Sequence, residues 1–222
     1  MVGDAVAPDV TTAVYFDLDG TLLVWSRSFA DLFADVYPGE ATDDALDVFG
    51  TRLRAELDAA NDDPFVTAFA AVRAEFAVDA DPETLAASFV EAEVAATRLR
   101  QSARRLLEEI GERHRVGVLT NGAASVQRRK LERHGLAELL DAVVVSGDAG
   151  VAKPDDEIFE VARDRLPADT HVYVGDSCEK DVVPAVANEF EAVYVGEGSS
   201  PEATVAARDV DDLASRLVPL LD

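Results

Sequence analysis

The chain is poor in cysteine and lysine. Cys178 is its only cysteine, and Lys130, Lys153 and Lys180 are its only lysines, against 17 arginines. A single cysteine excludes an intrachain disulfide and fits a reducing compartment. Apolar runs are short, and none approaches the roughly 18 uninterrupted residues that a membrane-spanning helix needs. The opening stretch MVGDAVAPDV lacks the basic region that begins a secretory leader. The expectation is a soluble, cytoplasmic protein with no membrane partner. Internal repeats and low-complexity linkers are missing too. The 222 residues, 48% of them hydrophobic, suffice for one domain carrying an insertion.

Positive charge is scarce as a class. There are 44 acidic residues and 20 basic ones, a net charge of −24. With no basic stripe, a nucleic-acid partner is excluded. Acidic pairs such as Asp43-Asp44, Asp62-Asp63, Asp155-Asp156 and Asp211-Asp212 lie closer together than the roughly 8 Å over which physiological salt screens charge. Acid excess combined with lysine scarcity points to a halophilic protein from a high-salt cytosol; a surface made acidic for solubility is the plainer alternative.

What is present is a regular alternation. Valine-rich runs at Thr12–Phe16, Arg115–Leu119, Ala142–Val145, His171–Val174 and Ala192–Val195 read as strands buried on both faces of a parallel sheet. Helical patterns lie between them, one over Ser125–His134 ending at Gly135, another over Glu157–Leu166. The predicted class is α/β, a Rossmann-like parallel sheet with helices on both faces. Thr120 and Lys153 are 33 residues apart, and Lys153 and Asp176 are 23 apart, close to one strand–helix–strand unit of about 30 residues. Asp19 and Thr120 are 101 apart. The surplus predicts an all-helical insert over 24–99, leaving 1–23 and 100–222 as the core. Leu46, Phe49, Leu53 and Leu57 recur at helical spacing, as do Phe65, Phe69, Val72 and Phe76. Asp63-Pro64 and Asp81-Pro82 read as helix starts.

Four motifs fall where predicted strands end, the edge at which open α/β sheets bind ligands. They are VYFDLDGTLL with Asp17 and Asp19, LTNG with Thr120, GVAKPDDEIF with Lys153, and GDSCEKD with Asp176 and Asp181. Up to four carboxylates converge beside one lysine and one hydroxyl. Such a set is unstable unless a hard divalent cation joins it, and all-oxygen ligands favour Mg²⁺ over zinc.

In this order the motifs resemble the haloacid dehalogenase superfamily of hydrolases, in the branch with a helical cap after the first strand that includes phosphoglycolate phosphatases. The resemblance covers the core; the cap matches in size and helical character alone. It implies a Mg²⁺-dependent phosphatase acting on a small phosphate monoester such as phosphoglycolate, a sugar phosphate or a nucleotide. Asp17 would attack phosphorus and Asp19 would move the proton. Thr120 and the N–H groups near Asn121 and Gly122 would bind phosphoryl oxygens, and Gly20 would let the backbone approach them. Lys153 would neutralise charge. The metal would be held by Asp17, the main-chain carbonyl of Asp19, and Asp176; Asp181 would bind it or orient Lys153. A phosphomutase or a 2-haloacid dehalogenase is an alternative on the same core. A receiver-type phospho-acceptor domain is an alternative of another class, with Asp148 as its acceptor. Pro184-Ala185 and Ala187-Asn188 depart from the family's usual small-residue pairs.

Trp25 and Arg27 read equally as substrate entrance or as packing. His114, His134 and His171 read as surface residues, and Cys178 as incidental.

If salt relieves the repulsion between close-set carboxylates, the melting temperature should rise between dilute buffer and molar KCl. Scanning fluorimetry across a KCl series measures this, and a flat or falling curve contradicts the halophilic reading.

Overall fold

The computed structural model describes residues 11–198 and 200–221. The stretch Met1–Val10, read above for a leader, lies outside them.

In chain order the elements are strands β1 (Thr12–Phe16) and β2 (Leu23–Trp25), then helices α1 (Phe29–Val36), α2 (Asp43–Asp58), α3 (Pro64–Phe76) and α4 (Pro82–Ala96). Next come β3 (Thr97–Leu99), α5 (Gln101–Gly111), β4 (Arg115–Thr120) and α6 (Ala124–Arg133). They are followed by β5 (Ala142–Val145), the short α7 (Ser146–Ala149), α8 (Asp156–Arg165) and β6 (Thr170–Gly175). The chain finishes with α9 (Val183–Ala187), β7 (Glu191–Val195), β8 (Val205–Ala207) and α10 (Val210–Leu221).

The five predicted strands all form, within a residue of the expected ends, and pair in parallel. Their order with β8 is β5-β4-β1-β6-β7-β8. β8 is a sixth strand without a valine-rich run of its own. Alternation along β1 divides the core. Val14 and Phe16 face α5 and α10, packing with Leu106, Ile110, Leu213 and Leu217. Ala13 and Tyr15 face α8 and α9 with Ile158, Phe159, Ala162 and Ala185. Both faces are covered, as a parallel sheet requires. The Tyr15 hydroxyl donates to the Ala162 carbonyl at 2.7 Å, so a phenol can lie fully buried.

Register decides where the chemistry sits. Phe16 lies opposite Val118 of β4 and Val174 of β6. Two residues beyond those partners stand Thr120 and Asp176, one step past the level of Asp17. Strand order reverses at β1, which places these tips at the switch point of the sheet.

Residues 29–96 form four helices between β2 and β3, which pair antiparallel with Trp25 opposite Thr97. This short ribbon carries the chain into the helices and back out of them. Phe33, Phe49, Phe69 and Phe89 make their centre, with Phe49 and Phe69 rings 4.3 Å apart. Helix starts follow local chemistry. Ser28 forms a capping box with Asp31, and Asp81 accepts from the Thr84 amide at 3.0 Å. Asp63 occupies the cap position before Pro64 yet makes no side-chain cap bond, unlike the expectation from Asp-Pro. Ala123 and Val126 of the core share this cluster, joining the helical unit to the start of α6.

His171 corrects another expectation, being buried with its Nε2 2.9 Å from the Leu166 carbonyl oxygen. His134 lies with its Nε2 2.8 Å from Thr97 Oγ1. Among the described residues, no helix is long and apolar enough to cross a membrane.

Truncating Phe69, which is fully buried among the other rings, should cost about 3–5 kcal/mol. Urea unfolding of Phe69→Ala measures it; a loss below about 1 kcal/mol would mean the helical unit does not depend on this cluster.

Candidate active site

Asp17 ends the central strand and is almost fully buried. Lys153, on the loop between α7 and α8, places its ammonium 2.8 Å from Asp17 Oδ1, 2.6 Å from Asp181 Oδ1 and 2.6 Å from the Tyr173 hydroxyl. The Asn121 side chain holds that loop in place. Its Nδ2 donates to the Lys153 carbonyl and its Oδ1 accepts from the Lys153 amide, each at 2.8 Å. The Asn121 carboxamide therefore clamps Lys153. Gly122 N–H, expected among the phosphate donors, is donated to Ser146 Oγ at 2.9 Å. Thr120 Oγ1 is buried and accepts from Gln127 Nε2 at 2.9 Å.

Burial pushes the Asp17 carboxyl up to about 7; Lys153 opposes the shift, while Asp181 and Asp176 add to it. Burial likewise raises Asp176, with Asp181 contributing. For Lys153 burial works downward, but Asp17 and Asp181 outweigh it and hold the ammonium above its usual range. Carboxylate oxygens of Asp17, Asp176 and Asp181 lie within 4.8 Å of one another. A close all-oxygen set with too little positive charge fits a hard divalent cation. Asp181 is tied mostly to the protein: Oδ1 receives Lys153 and Tyr173, and Oδ2 accepts from the Ser177 amide at 2.9 Å. Asp181 thus contacts Lys153 directly while its carboxylate also stands in the acidic group.

Asp19 stands apart from that group. Its Oδ2 accepts from Lys130 Nζ at 2.7 Å and Gln127 Nε2 at 2.9 Å, while Oδ1 is buried without a protein partner. The Asp19 carboxylate is thus not one of the converging acids, which leaves its main-chain carbonyl as the group it could offer a metal. Directly after Asp19 the backbone turns sharply at Gly20, with φ at +97°. A Cβ there would lie 2.2 Å from Asp176 Oδ2, so glycine is required both for the turn and for the approach.

Lys130, Gln127, Glu93 and Tyr173 were not among the expected site residues. Lys130 is buried, shares its ammonium between Asp19 and Glu93 of α4 (2.8 Å), and lies 4.8 Å from the Trp25 ring centroid. The scarcity of lysine in the chain is a signal that marks Lys130 as much as Lys153. No comparable signal marked the others. Trp25 and Arg27 both line the cavity beside Asp19, which favours the entrance reading of these two. Asp148, the receiver-type acceptor, is exposed and ion-paired with Arg128, away from this constellation.

The description "haloacid dehalogenase-like hydrolase" matches residues 11–187. The chain belongs to that family of hydrolases. It is 32% identical over 112 residues to the pyrimidine 5'-nucleotidase YjjG of Escherichia coli, covering 46% of this chain and 50% of that protein. It spans about half the length, or less, of the first curated relatives it matches. A longer match, 29% over 199 residues, joins it to a phosphoglycolate phosphatase of Cereibacter sphaeroides and covers 83% of this chain and 85% of that one. Among solved structures it superposes on a haloacid dehalogenase phosphatase from Thermococcus onnurineus with a TM-score of 0.72 at 26% identity, covering 93% and 98% of the two chains.

With Asp17 titrating near 7, protons and a cation compete for the same carboxylate. Saturating Mg²⁺ added to metal-stripped protein should raise the melting temperature by about 5 °C at pH 8 and by much less at pH 5.5. Equal shifts at both pH values would contradict a cation held by Asp17.

Proposed function

We propose that this chain is a Mg²⁺-dependent phosphatase that hydrolyses a small phosphorylated metabolite through a phosphoryl group carried on Asp17. The observation that carries the reading is the buried Asp17–Lys153 pair, 2.8 Å apart at the tip of the central strand with Asp176 alongside. The curated relatives described above, a nucleotidase and a phosphoglycolate phosphatase, support the same class of reaction.

Asp17 and Asp176 would hold the ion, with the Asp19 carbonyl as a third donor and Asp181 behind them. When bound, the ion neutralises charge on the phosphate. The remaining chemistry belongs to the side chains. Asp17 Oδ1 is held by Lys153, which leaves Oδ2 to attack phosphorus. As that bond forms, the bond from phosphorus to the leaving oxygen breaks, and Asp19 donates a proton to the alcohol. Water then attacks the phosphoryl group and gives a proton to Asp19; the bond to Asp17 breaks, and phosphate leaves. Lys130 and Gln127 hold Oδ2 of Asp19 in place through both steps. The unpartnered Oδ1 is the oxygen available for both transfers. Thr120 contributes a hydroxyl and Lys153 a positive charge to the transferring group. The helices over 29–96 act as a cap, and Glu93 ties the cap to the proton-transferring aspartate through Lys130. Carbon–halogen hydrolysis would use Asp17 but would leave Asp19 and its two donors without a task.

Phosphate release from para-nitrophenyl phosphate should require Mg²⁺ and stop on chelation. Asp17→Asn should lower kcat by about a thousandfold or more. Turnover that survives either treatment contradicts the mechanism.

A further inference from the structure

Resting on the phosphatase reading, we propose that the ester cleaved here has an uncharged leaving alcohol with a flat, largely apolar body of aryl or nucleoside size. A leaving group bearing a carboxylate or a second phosphate would be disfavoured.

The cavity beside Asp19 has a volume of about 480 Å³. Asp19, Asn121 and Gly122 line it on the side where the phosphate ester oxygen would lie. Much of the rest of its lining is carbon, from Trp25, Phe29, Leu32, Leu53, Leu57 and Phe65. Trp25 and Phe29 are 41% and 42% exposed, two of four large hydrophobic residues so exposed among those described. Both front this cavity. An aromatic pair held open to water at a cavity mouth gains most from a ligand that covers it, and flat ligands cover rings best. A two-carbon alcohol would leave most of such a space unfilled, whereas an aryl or nucleoside body suits a site in the 300–1,000 Å³ range typical of small molecules.

Charge within the cavity is already balanced. Lys130 divides its ammonium between Asp19 and Glu93. Arg27 turns to α1, where its Nη1 lies 2.5 Å from Asp35 Oδ2 and its Nη2 3.4 Å from the Asp31 carbonyl oxygen. A second anion on the leaving group would find both cations engaged and two carboxylates nearby. Losing its water there without a partner is costly.

The test measures kcat/KM for the full-length protein in saturating Mg²⁺. Para-nitrophenyl phosphate and uridine 5'-monophosphate are compared with 2-phosphoglycolate and fructose 1,6-bisphosphate. Each of the first two should exceed each of the last two by at least tenfold. A smaller ratio, or a preference for either anionic ester, overturns the inference while leaving the phosphatase reading intact. No turnover on any of the four removes both. In Trp25→Ala and Phe29→Ala the aryl-to-phosphoglycolate ratio should fall at least fivefold, mainly through KM for the aryl ester. In Leu57→Arg, a cation placed on the carbon wall should shift the ratio toward phosphoglycolate by a similar factor. Ratios unmoved in all three variants overturn the proposal. Since Trp25 and Phe29 are exposed and Leu57 is only partly buried, each variant can be checked for an intact fold by its circular dichroism spectrum.

Discussion

One buried ammonium decides what the strand tips can hold. Lys153 sits between Asp17 and Asp181 with Tyr173 beneath it, and none of the four is more than slightly exposed. Removing one partner from such a buried set leaves an uncompensated charge, a loss of about 3–5 kcal/mol. One positive charge between two carboxylates still leaves Asp17 difficult to ionise, because burial disfavours its charged form and Asp181 and Asp176 add to that. The sheet presents a site short of positive charge, and both a divalent cation and a proton suit that shortage. Its rigidity comes from the scaffold: Asn121 fixes the Lys153 loop by two main-chain bonds, and parallel pairing on both sides fixes Asp17.

A second ammonium ties the site to the helical unit. Lys130 meets Asp19 on one side and Glu93 on the other. Lys180 spans the same two parts through Asp58 at 2.8 Å, at the surface. All three lysines of an arginine-rich chain thus lie at the site or bridge the helices to the sheet. A lysine presents a compact point charge on a flexible stem, and its three donors let one nitrogen meet two carboxylates at once, as Lys153 and Lys130 do. The buried Lys130 bridge is screened little by salt, whereas the exposed Lys180 bridge is screened strongly. At a net charge of −24, rising ionic strength would weaken the exposed bridge while the contacts near the chemistry keep their strength.

Much of this was legible in the residues. Five strands could be read because burial on both faces demands unbroken valine-rich runs, and the insert because one spacing was too long for a single crossover. β8 escaped because a three-residue edge strand carries too little pattern. Asp63-Pro64 did mark the start of α3, but the Asp-Pro pattern does not set the side-chain rotamer, and the cap bond is not made. His171 misled because a position at a strand start was taken for the surface, while the turn before it buries the ring.

Motif order, charge and spacing by themselves determined the fold class and the aspartates and lysine at the strand tips, since each motif is local and each strand end is marked in the chain. Only the tertiary structure decided that Asp19 faces Lys130 and stands apart from the other acids. It alone made the Asn121 side chain a clamp and the Gly122 amide a partner of Ser146, and gave the cavity its wall of carbon. Those outcomes depend on side chains far apart in sequence meeting across the sheet and the helical unit, and no local pattern encodes such meetings.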